Sequence, residues 1–174
     1  EPAAEDHLTF LTRCQTALQR LAQSDALNGG NFRQAAQTIT ESCGSLLSVE
    51  RTSIWLFDRN RTTLNLIDLY DASSHSHRSE MALPTHSCQA YCQALLEEER
   101  AIAAADAHED PRTKEFSEHY LRPLNIGAML DAPIRHKGKL IGVLCAEHVG
   151  SPRSWNPHEE YLASSMATMA TLAL

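Results

Sequence analysis

Apolar residues near the start of the chain recur every three or four positions. Over 3–23, Leu8, Leu11, Leu18 and Leu21 fall at helical spacing. Leu11, Cys14, Leu18 and Leu21 alone step by 3, 4 and 3, the spacing of a heptad seam. That seam packs either on its own domain or on a second copy. SDALNGGN (24–31) is a cluster of turn formers. NFRQAAQTITESCGSLL returns to helical spacing, with Phe32, Ala35, Ala36, Ile39 and Cys43 on one face and Gly44 near the stop. The period then shortens. SIWLFD (53–58) is a β-rich run, and TLNLIDLYD (63–71) alternates Leu64 and Leu66 against Asn65, less cleanly at Ile67 and Leu69. The polar RNRT between them predicts a hairpin. RSEMALP (78–84) reads as a third, short strand ended by Pro84.

THSCQAYCQALLEEER (85–100) reads as a helix with Tyr91, Leu95 and the Ala90/Ala94 pair on its apolar face. AIAAAD (101–106) is a short strand of small residues. AHEDPRTKEF leads into a predicted helix with Asp110 as N-cap and Pro111 at the first position, carrying Phe116, Tyr120 and Leu121 and stopping before Pro123. In 126–150 two apolar β runs flank Lys137-Gly138, a strong hairpin signal. A last helix begins near Asn156-Pro157 with Glu159 and Glu160 in its first turn. There Leu162, Met166, Met169 and Ala173 step by 4, 3 and 4, a second heptad-like seam. Strands joined by hairpins between helices predict an α+β fold: an antiparallel sheet of five to six strands with helices on both faces. Without a repeat, low-complexity tract or linker, 1–174 reads as a single domain.

Composition narrows the function. With 174 residues and a net charge of −7, the chain has no electrostatic footprint for nucleic acid or an anionic membrane. No run approaches the ~18 apolar residues of a membrane span. EPAAEDHLTF lacks the apolar core of a secretion signal, so a cytoplasmic location is expected. Five cysteines, an odd number without framework spacing, point to a reducing compartment. Cys14, Cys43 and Cys145 sit among apolar neighbours and read as small core residues.

Metal and nucleophile chemistry find little support. His75, His77, His86, Cys88 and Cys92 offer ligand types, but there is no Cys-x-x-Cys pair, and a structural zinc site wants four ligands; no metal is expected. Cys88 or Cys92 with His86 is a conceivable thiolate–imidazole pair, yet no motif fixes a base or an oxyanion hole, so no catalytic residue is assigned and the domain is not expected to be an enzyme. Asp131 in MLDAPI and Glu147 in LCAEHV are more telling, because an ionised carboxylate inside an apolar strand is costly unless paired. Each is either salt-bridged, to Arg135, Arg153 or a helix lysine, or faces a ligand. Trp55, Tyr91, Phe116 and Tyr120 are either plain core or the lining of one pocket.

AMLDAPIRHKGKLIGVLCAEHVGSPRSWNPHEEYLASSMA resembles the last two strands and closing helix of GAF domains: a small-residue strand ending in a proline, the KGKLIGVL hairpin, the PRSW step and an acidic helix start. RAIAAADAHEDPR is similar to the GAF domains of bacterial sensor kinases and cyclases. The resemblance implies a sheet with the N- and C-terminal helices on one face and a ligand pocket on the other. It divides the chain into a dimer or relay helix (1–23), sheet and pocket (30–156) and a C-terminal helix (157–174). It further implies a homodimer joined by the terminal helices, which passes a signal to an attached kinase, cyclase or transcription activator, as in two-component systems. In phytochrome-type GAF domains a Cys-His pair attaches a bilin; the matching positions here are Phe116 and Ser117, so the anchor is missing and a covalent bilin is not expected. The N-K…F…D-E signature of cyclic-nucleotide GAF domains is absent, and the loop 107–115 lacks the cysteine of the GAF-type methionine sulfoxide reductases. The same likeness places Met129, Asp131 and Glu147 at chromophore-facing positions, Tyr91, Phe116 and Tyr120 on the covering helices, and Asp106 beside the pocket. The expected function is regulatory sensing of a small molecule, with two alternatives: a ligand-free dimerisation and relay module, and a cysteine-based redox sensor or reductase. Two carboxylates in one pocket would favour a polar or cationic ligand over an anion.

Overall fold

The turn at Lys137-Gly138 builds the centre of the fold. In the computed structural model, which describes residues 6–174, these two residues have φ of 50° and 77°, the left-handed pair that a two-residue hairpin turn requires. They join β6 (Ile126–His136) to β7 (Lys139–Val149), with His136 opposite Lys139. β7 pairs on its other side with β1 (Arg51–Phe57), which pairs with β2 (Thr63–Asp71). Two three-residue strands, β3 (Ser76–Arg78) and β4 (Ala82–Pro84), pair with opposite ends of β2, and β5 (Ile102–Ala104) pairs with β6. The order is β3-β2-β1-β7-β6-β5, antiparallel throughout, with β4 beside β2. The region 76–84 thus supplies two short strands at its ends, where the sequence pattern suggested one over 78–84.

α1 (His7–Ala22), α3 (Phe32–Leu47) and α5 (Pro157–Leu172) share one face of the sheet, so both terminal helices lie on the same side. Ile54, Leu130, Ala132, Ile134, Leu144 and Ala146 point into them. α5 begins with a full capping box: the Asn156 side chain accepts from the backbone of His158 and Glu159, and Glu159 accepts from Asn156 N–H. α3 runs past Gly44 and stops at Ser48, a left-handed residue. Gly44 serves a different need, since a Cβ there would lie 2.8 Å from Thr52 Oγ1 on β1. The predicted turn 24–31 contains one short helix, α2 (Asp25–Asn28), capped by Ser24. α1 begins at His7, and positions 3–5 of the predicted helix lie outside the described residues.

The opposite face is covered by α4 (Gln89–Glu97), entered through a 3-10 turn at Thr85–Ser87, and by the segment 107–125. The predicted helix after Pro111 does not form. Asp110 directs its carboxylate to Arg112 N–H and guanidinium rather than capping, and a 3-10 turn (Lys114–Phe116) runs into a π-helical turn (Ser117–Leu121). Buried Thr113 donates its hydroxyl to Ala107 O, and His108 bridges Ser117 Oγ and Ile126 O, so side chains rather than a regular ladder hold this cover.

The imperfect alternation of β2 has a local cause. The register slips between Ile54 and Trp55, which face Asp68 and Leu66, leaving Ile67 as the extra residue. The bulge lets Leu64, Leu66 and Leu69 all join the Trp55 side. It also turns Asp68 toward α3, where Thr40 Oγ1 donates to it at 2.6 Å and His77 of β3 bridges it to Glu41. Burial would lower the His77 pKa, but hydrogen bonds to Glu41 and Asp68 raise it above the usual histidine value. At the other edge, the carbonyls beside β5 are engaged: Ala103 O accepts from Arg112, Ala104 O from Trp155 Nε1, and Ala105 O from Arg153 N.

β1 and β7 approach closely at Gly142, where a Cβ would stand 2.1 Å from Trp55 O. Gly142→Ala is therefore expected to destabilise the fold by about 2 kcal/mol through overpacking. Urea denaturation measures it, and a loss below about 0.5 kcal/mol, the scale of a neutral surface change, would contradict this packing.

Candidate functional site

The two-residue turn and a bulge at Ile141 together set which side chains of the hairpin share a face: Arg135 faces Leu140, but Ile134 faces Gly142. Met129 lies opposite Glu147 and Asp131 opposite Cys145, so Asp131 and Glu147 stand on the same buried face, that of Trp55 and Val143. Neither pairs with the basic residues the sequence suggested. Arg135 donates to the carbonyls of Leu95, Leu96 and Glu98 at the end of α4, and Arg153 pairs with Glu159.

Glu147 is held by Arg51, the first residue of β1: Arg51 Nε donates to Oε2 at 2.9 Å. Tyr120, from the π-helical turn, donates its hydroxyl to Oε1 at 2.6 Å and accepts from Arg51 Nη2 at 3.4 Å. Burial opposes the Arg51 charge, but Glu147 and Tyr120 outweigh it and hold the guanidinium firmly protonated. Burial and Glu147 push the Tyr120 phenol up. Glu147 thus carries a matched counter-charge.

Among the described residues Asp131 has no cationic partner. Tyr91 of α4 donates its hydroxyl to Oδ2 at 2.5 Å, while Oδ1 is buried without a hydrogen bond. Burial raises the Asp131 pKa from its ordinary 3.8 to about 7; the Tyr91 hydrogen bond, with weaker contacts from the Cys145 thiol and the Ala146 N–H, pulls it down, and nearby Glu147 pushes it up. The Tyr91 phenol and the Cys145 thiol, 3.5 Å apart, are both raised, first by burial and then by Asp131. This face therefore offers one neutralised ion pair and one carboxyl poised between its two forms near neutrality.

Beside these groups lies a cavity of about 100 Å³ lined by Trp55, Leu64, Met81, Ala82, Leu83, Tyr91, Phe116, Tyr120, Met129, Val143, Cys145 and Glu147. Six of the eight predicted site residues meet there: Trp55, Tyr91, Phe116, Tyr120, Met129 and Glu147. Asp131 lies just behind the lining, flanked by Tyr91, Cys145 and Met129. Asp106 does not reach it; its carboxylate accepts the His108 N–H and its carbonyl starts the turn that follows. A short polar side chain next to a loop served the loop backbone instead. Phe116 packs edge-on between Tyr91 (4.9 Å) and Tyr120 (6.3 Å) and roofs one end. Arg51, which locks Glu147, was missed, as were rim residues Met81–Leu83; Arg51 precedes the apolar run that marked the strand. Among the described residues no cluster of three or more His, Cys, Asp or Glu side chains has the geometry of a metal site. His75 instead meets Tyr70, and His77 meets Asp68.

An antiparallel sheet with paired terminal helices on one face and a half-enclosed apolar cavity on the other defines a class of small α+β regulatory domains. The chain belongs to the GAF domain family, whose model matches residues 31–174. Solved structures share the fold at low identity. The GAF domain of a phosphoenolpyruvate-protein phosphotransferase from Acinetobacter aligns with a TM-score of 0.71 at 15% identity, over 97% of this chain and 93% of that one. The GAF domain of the cyanobacteriochrome TePixJ aligns at 0.66 and 21% identity, over 88% and 91%. The chromophore-binding domain of the bacteriophytochrome RpBphP3 from R. palustris aligns at 0.73 and 16%, over 98% of this chain and 62% of that one. In sequence, a putative methyl-accepting chemotaxis protein from Synechocystis is 39% identical over 54 residues, 31% of this chain and 5% of that protein's length. Among the described residues no helix is long and apolar enough to cross a membrane.

The raised Asp131 pKa has a signed consequence. The native state holds a proton on Asp131 up to about pH 7, while the unfolded chain loses it near 3.8. Between these values the native state binds more protons, so this group's contribution to stability falls as pH rises, with a limiting slope of about 1.4 kcal/mol per pH unit. The stability of the protein minus that of Asp131→Asn, from urea melts at stepped pH, should decline through that window; a flat difference would refute the buried, unpaired carboxyl.

Proposed function

We propose that this domain is a non-enzymatic sensor of a small neutral molecule, and that occupancy of the cavity is relayed through α1 and α5 to an attached effector, such as a kinase or cyclase, of a cytoplasmic bacterial signalling protein. The observation that carries it is the buried Asp131 Oδ1, left without a partner behind the wall of an apolar cavity. A buried polar atom in this state is costly, and a ligand or water donating a hydrogen bond would relieve that cost. The partial likeness to a chemotaxis protein supports a signalling role. Pairing of Glu147 with Arg51 shifts the expected chemistry away from a cation: the fitting ligand has an apolar body and one hydrogen-bonding group. α4 and 107–125 cover the cavity, and the sheet connects it to the helix layer, so ligand-favoured packing of the cover would bias that layer.

The volume favours a second reading beside it. A cavity of about 100 Å³ is smaller than the ~300 Å³ at which drug-sized sites begin. On that reading the domain is a ligand-free dimerisation and relay module. Both readings share the homodimer. Leu8, Leu11, Tyr161 and Leu172, exposed at 69%, 40%, 59% and 67%, lie on α1 and α5, and Leu11 and Tyr161 face the groove between these helices. A second copy would bury them.

Mass spectrometry of the fraction released on denaturation, with an absorbance spectrum beforehand, is expected to show a stoichiometric small molecule, or else a metabolite panel should raise Tm. Asp131→Asn should then weaken binding about tenfold or more, the scale of one hydrogen bond to a buried polar group. No released compound and no Tm shift would favour the ligand-free module. Sedimentation at micromolar concentration should show a dimer that Leu11→Glu with Tyr161→Glu converts to a monomer; a wild-type monomer would contradict the dimer for residues 1–174.

A further inference from the structure

One pair of side chains beside the cavity is not used by the sensing reading. Cys88 and Cys92 are one helical turn apart, and their sulfurs lie 3.7 Å from each other. Cys88 is fully buried and Cys92 partly exposed, opening onto a surface groove shared with Arg61 and His86. We propose that Cys88 and Cys92 form a redox-active dithiol that peroxide closes to an intrachain disulfide, and that closure resets the cavity through Tyr91 and Pro84. The two cysteines differ as a nucleophile and a resolving partner must. The hydrogen bond from Cys88 stabilises the Cys92 thiolate and, with a smaller contribution from Arg61, outweighs burial and the nearby Glu115 carboxylate, so Cys92 is the more acidic; Cys88 is raised by that same hydrogen bond, by burial and by Glu115.

The chemistry balances. The Cys92 thiolate attacks one peroxide oxygen; an S–O bond forms, the O–O bond breaks, and the leaving hydroxide takes a proton to become water. The Cys88 sulfur then attacks the Cys92 sulfenic acid; the S–S bond forms, the S–O bond breaks, and hydroxide leaves as a second water with the Cys88 proton. Two thiols lose two electrons and two protons, and one peroxide is reduced to two waters.

The same geometry makes closure consequential. A disulfide needs about 2.05 Å between sulfurs and ~3.5–4.5 Å between Cβ atoms, whereas side chains four apart on a helix hold theirs at ~5–6 Å. Cys88 sits just outside the helix, at φ −142° and ψ 52°, so closure is met by backbone rotation at the helix start rather than within a helical turn. Its thiol also faces Pro84 O at 3.8 Å, at the end of β4, whose Ala82 and Leu83 rim the cavity. The single Cys88 proton is shared between Cys92 Sγ and Pro84 O; closing the bond removes it from both and pulls on the start of α4, where Tyr91 reaches Asp131. This inference does not depend on the cavity holding a ligand.

The experiment treats the Trp155→Phe protein, in which Trp55 is the remaining tryptophan, with hydrogen peroxide, and follows Trp55 fluorescence and peptide masses after alkylation. Expected are a single Cys88–Cys92 disulfide reversed by dithiothreitol, a Trp55 emission change that tracks it, and native alkylation of Cys92 at least about tenfold faster than of Cys14, Cys43 or Cys145. In Cys88→Ser, Cys92 should stop at a dimedone-trapped sulfenic acid with no Trp55 change. Recovery of both thiols unreacted, or a disulfide at other cysteines, overturns the dithiol. A Cys88–Cys92 disulfide that leaves Trp55 unmoved overturns its coupling to the cavity.

Discussion

Two carboxylates standing on one buried sheet face are the constraint on which the rest of this structure depends. Asp131 and Glu147 come to that face through a two-residue turn and the one-residue bulge at Ile141 that shifts its register. Their desolvation has to be offset by whatever else the fold brings within reach. Arg51 and Tyr120 meet Glu147, and Tyr91 meets Asp131. Each of these contacts ties a different part of the chain to the hairpin: β1 through Arg51, α4 through Tyr91, and 107–125 through Tyr120. The cover of the cavity is therefore attached to its floor by polar bonds, with apolar contacts around them. Loss of one bond exposes the others to water, so the cover and the hairpin are coupled in the sense that matters for a regulatory domain.

The asymmetry between the two carboxylates is as important as their proximity. Glu147 is part of a closed triad and contributes structure. Asp131 has one good donor and one unmet lone-pair site, and its proton is lost near neutrality. Placing the unsettled group behind Tyr91, itself on the helix that carries Cys88 and Cys92, concentrates chemical sensitivity in one element. α4 spans only Gln89–Glu97, and Glu115 caps its start by accepting from the N–H groups of Ala90 and Tyr91. The other end is held by Arg135 on the carbonyls of Leu95, Leu96 and Glu98, and Tyr91 and Leu95 bury the middle, so a shift at the start of α4 is passed along a helix fixed at both ends.

The sequence made the architecture legible where local chemistry decides it. Lys137-Gly138 can only turn, Asn156 with Glu159 can only start a helix, and the near-continuous apolar runs of β6 and β7 suit strands covered on both faces. The two acids were legible as anomalies, since a charge in MLDAPI or LCAEHV has no local excuse. Their partners were not. Arg51 lies 96 positions from Glu147 along the chain and precedes the apolar run that marked its strand. The spacing of Phe116, Tyr120 and Leu121 suited a helix, but 107–125 is held by Thr113, His108 and the Asp110–Arg112 pair, tertiary bonds that override propensity. Asp106 failed for the converse reason: its neighbouring backbone claimed it.

The engagement of the carbonyls beside β5 reaches beyond the single molecule. A sheet edge is a template onto which a foreign strand can add. Here one edge is a three-residue strand whose flanking acceptors are taken by Arg112, Trp155 and Arg153, and the other is a three-residue strand riveted to α3 by His77. Short edge strands with engaged acceptors give a foreign strand little to pair with, so the same contacts that hold the edge strands in place also blunt the ends of the sheet.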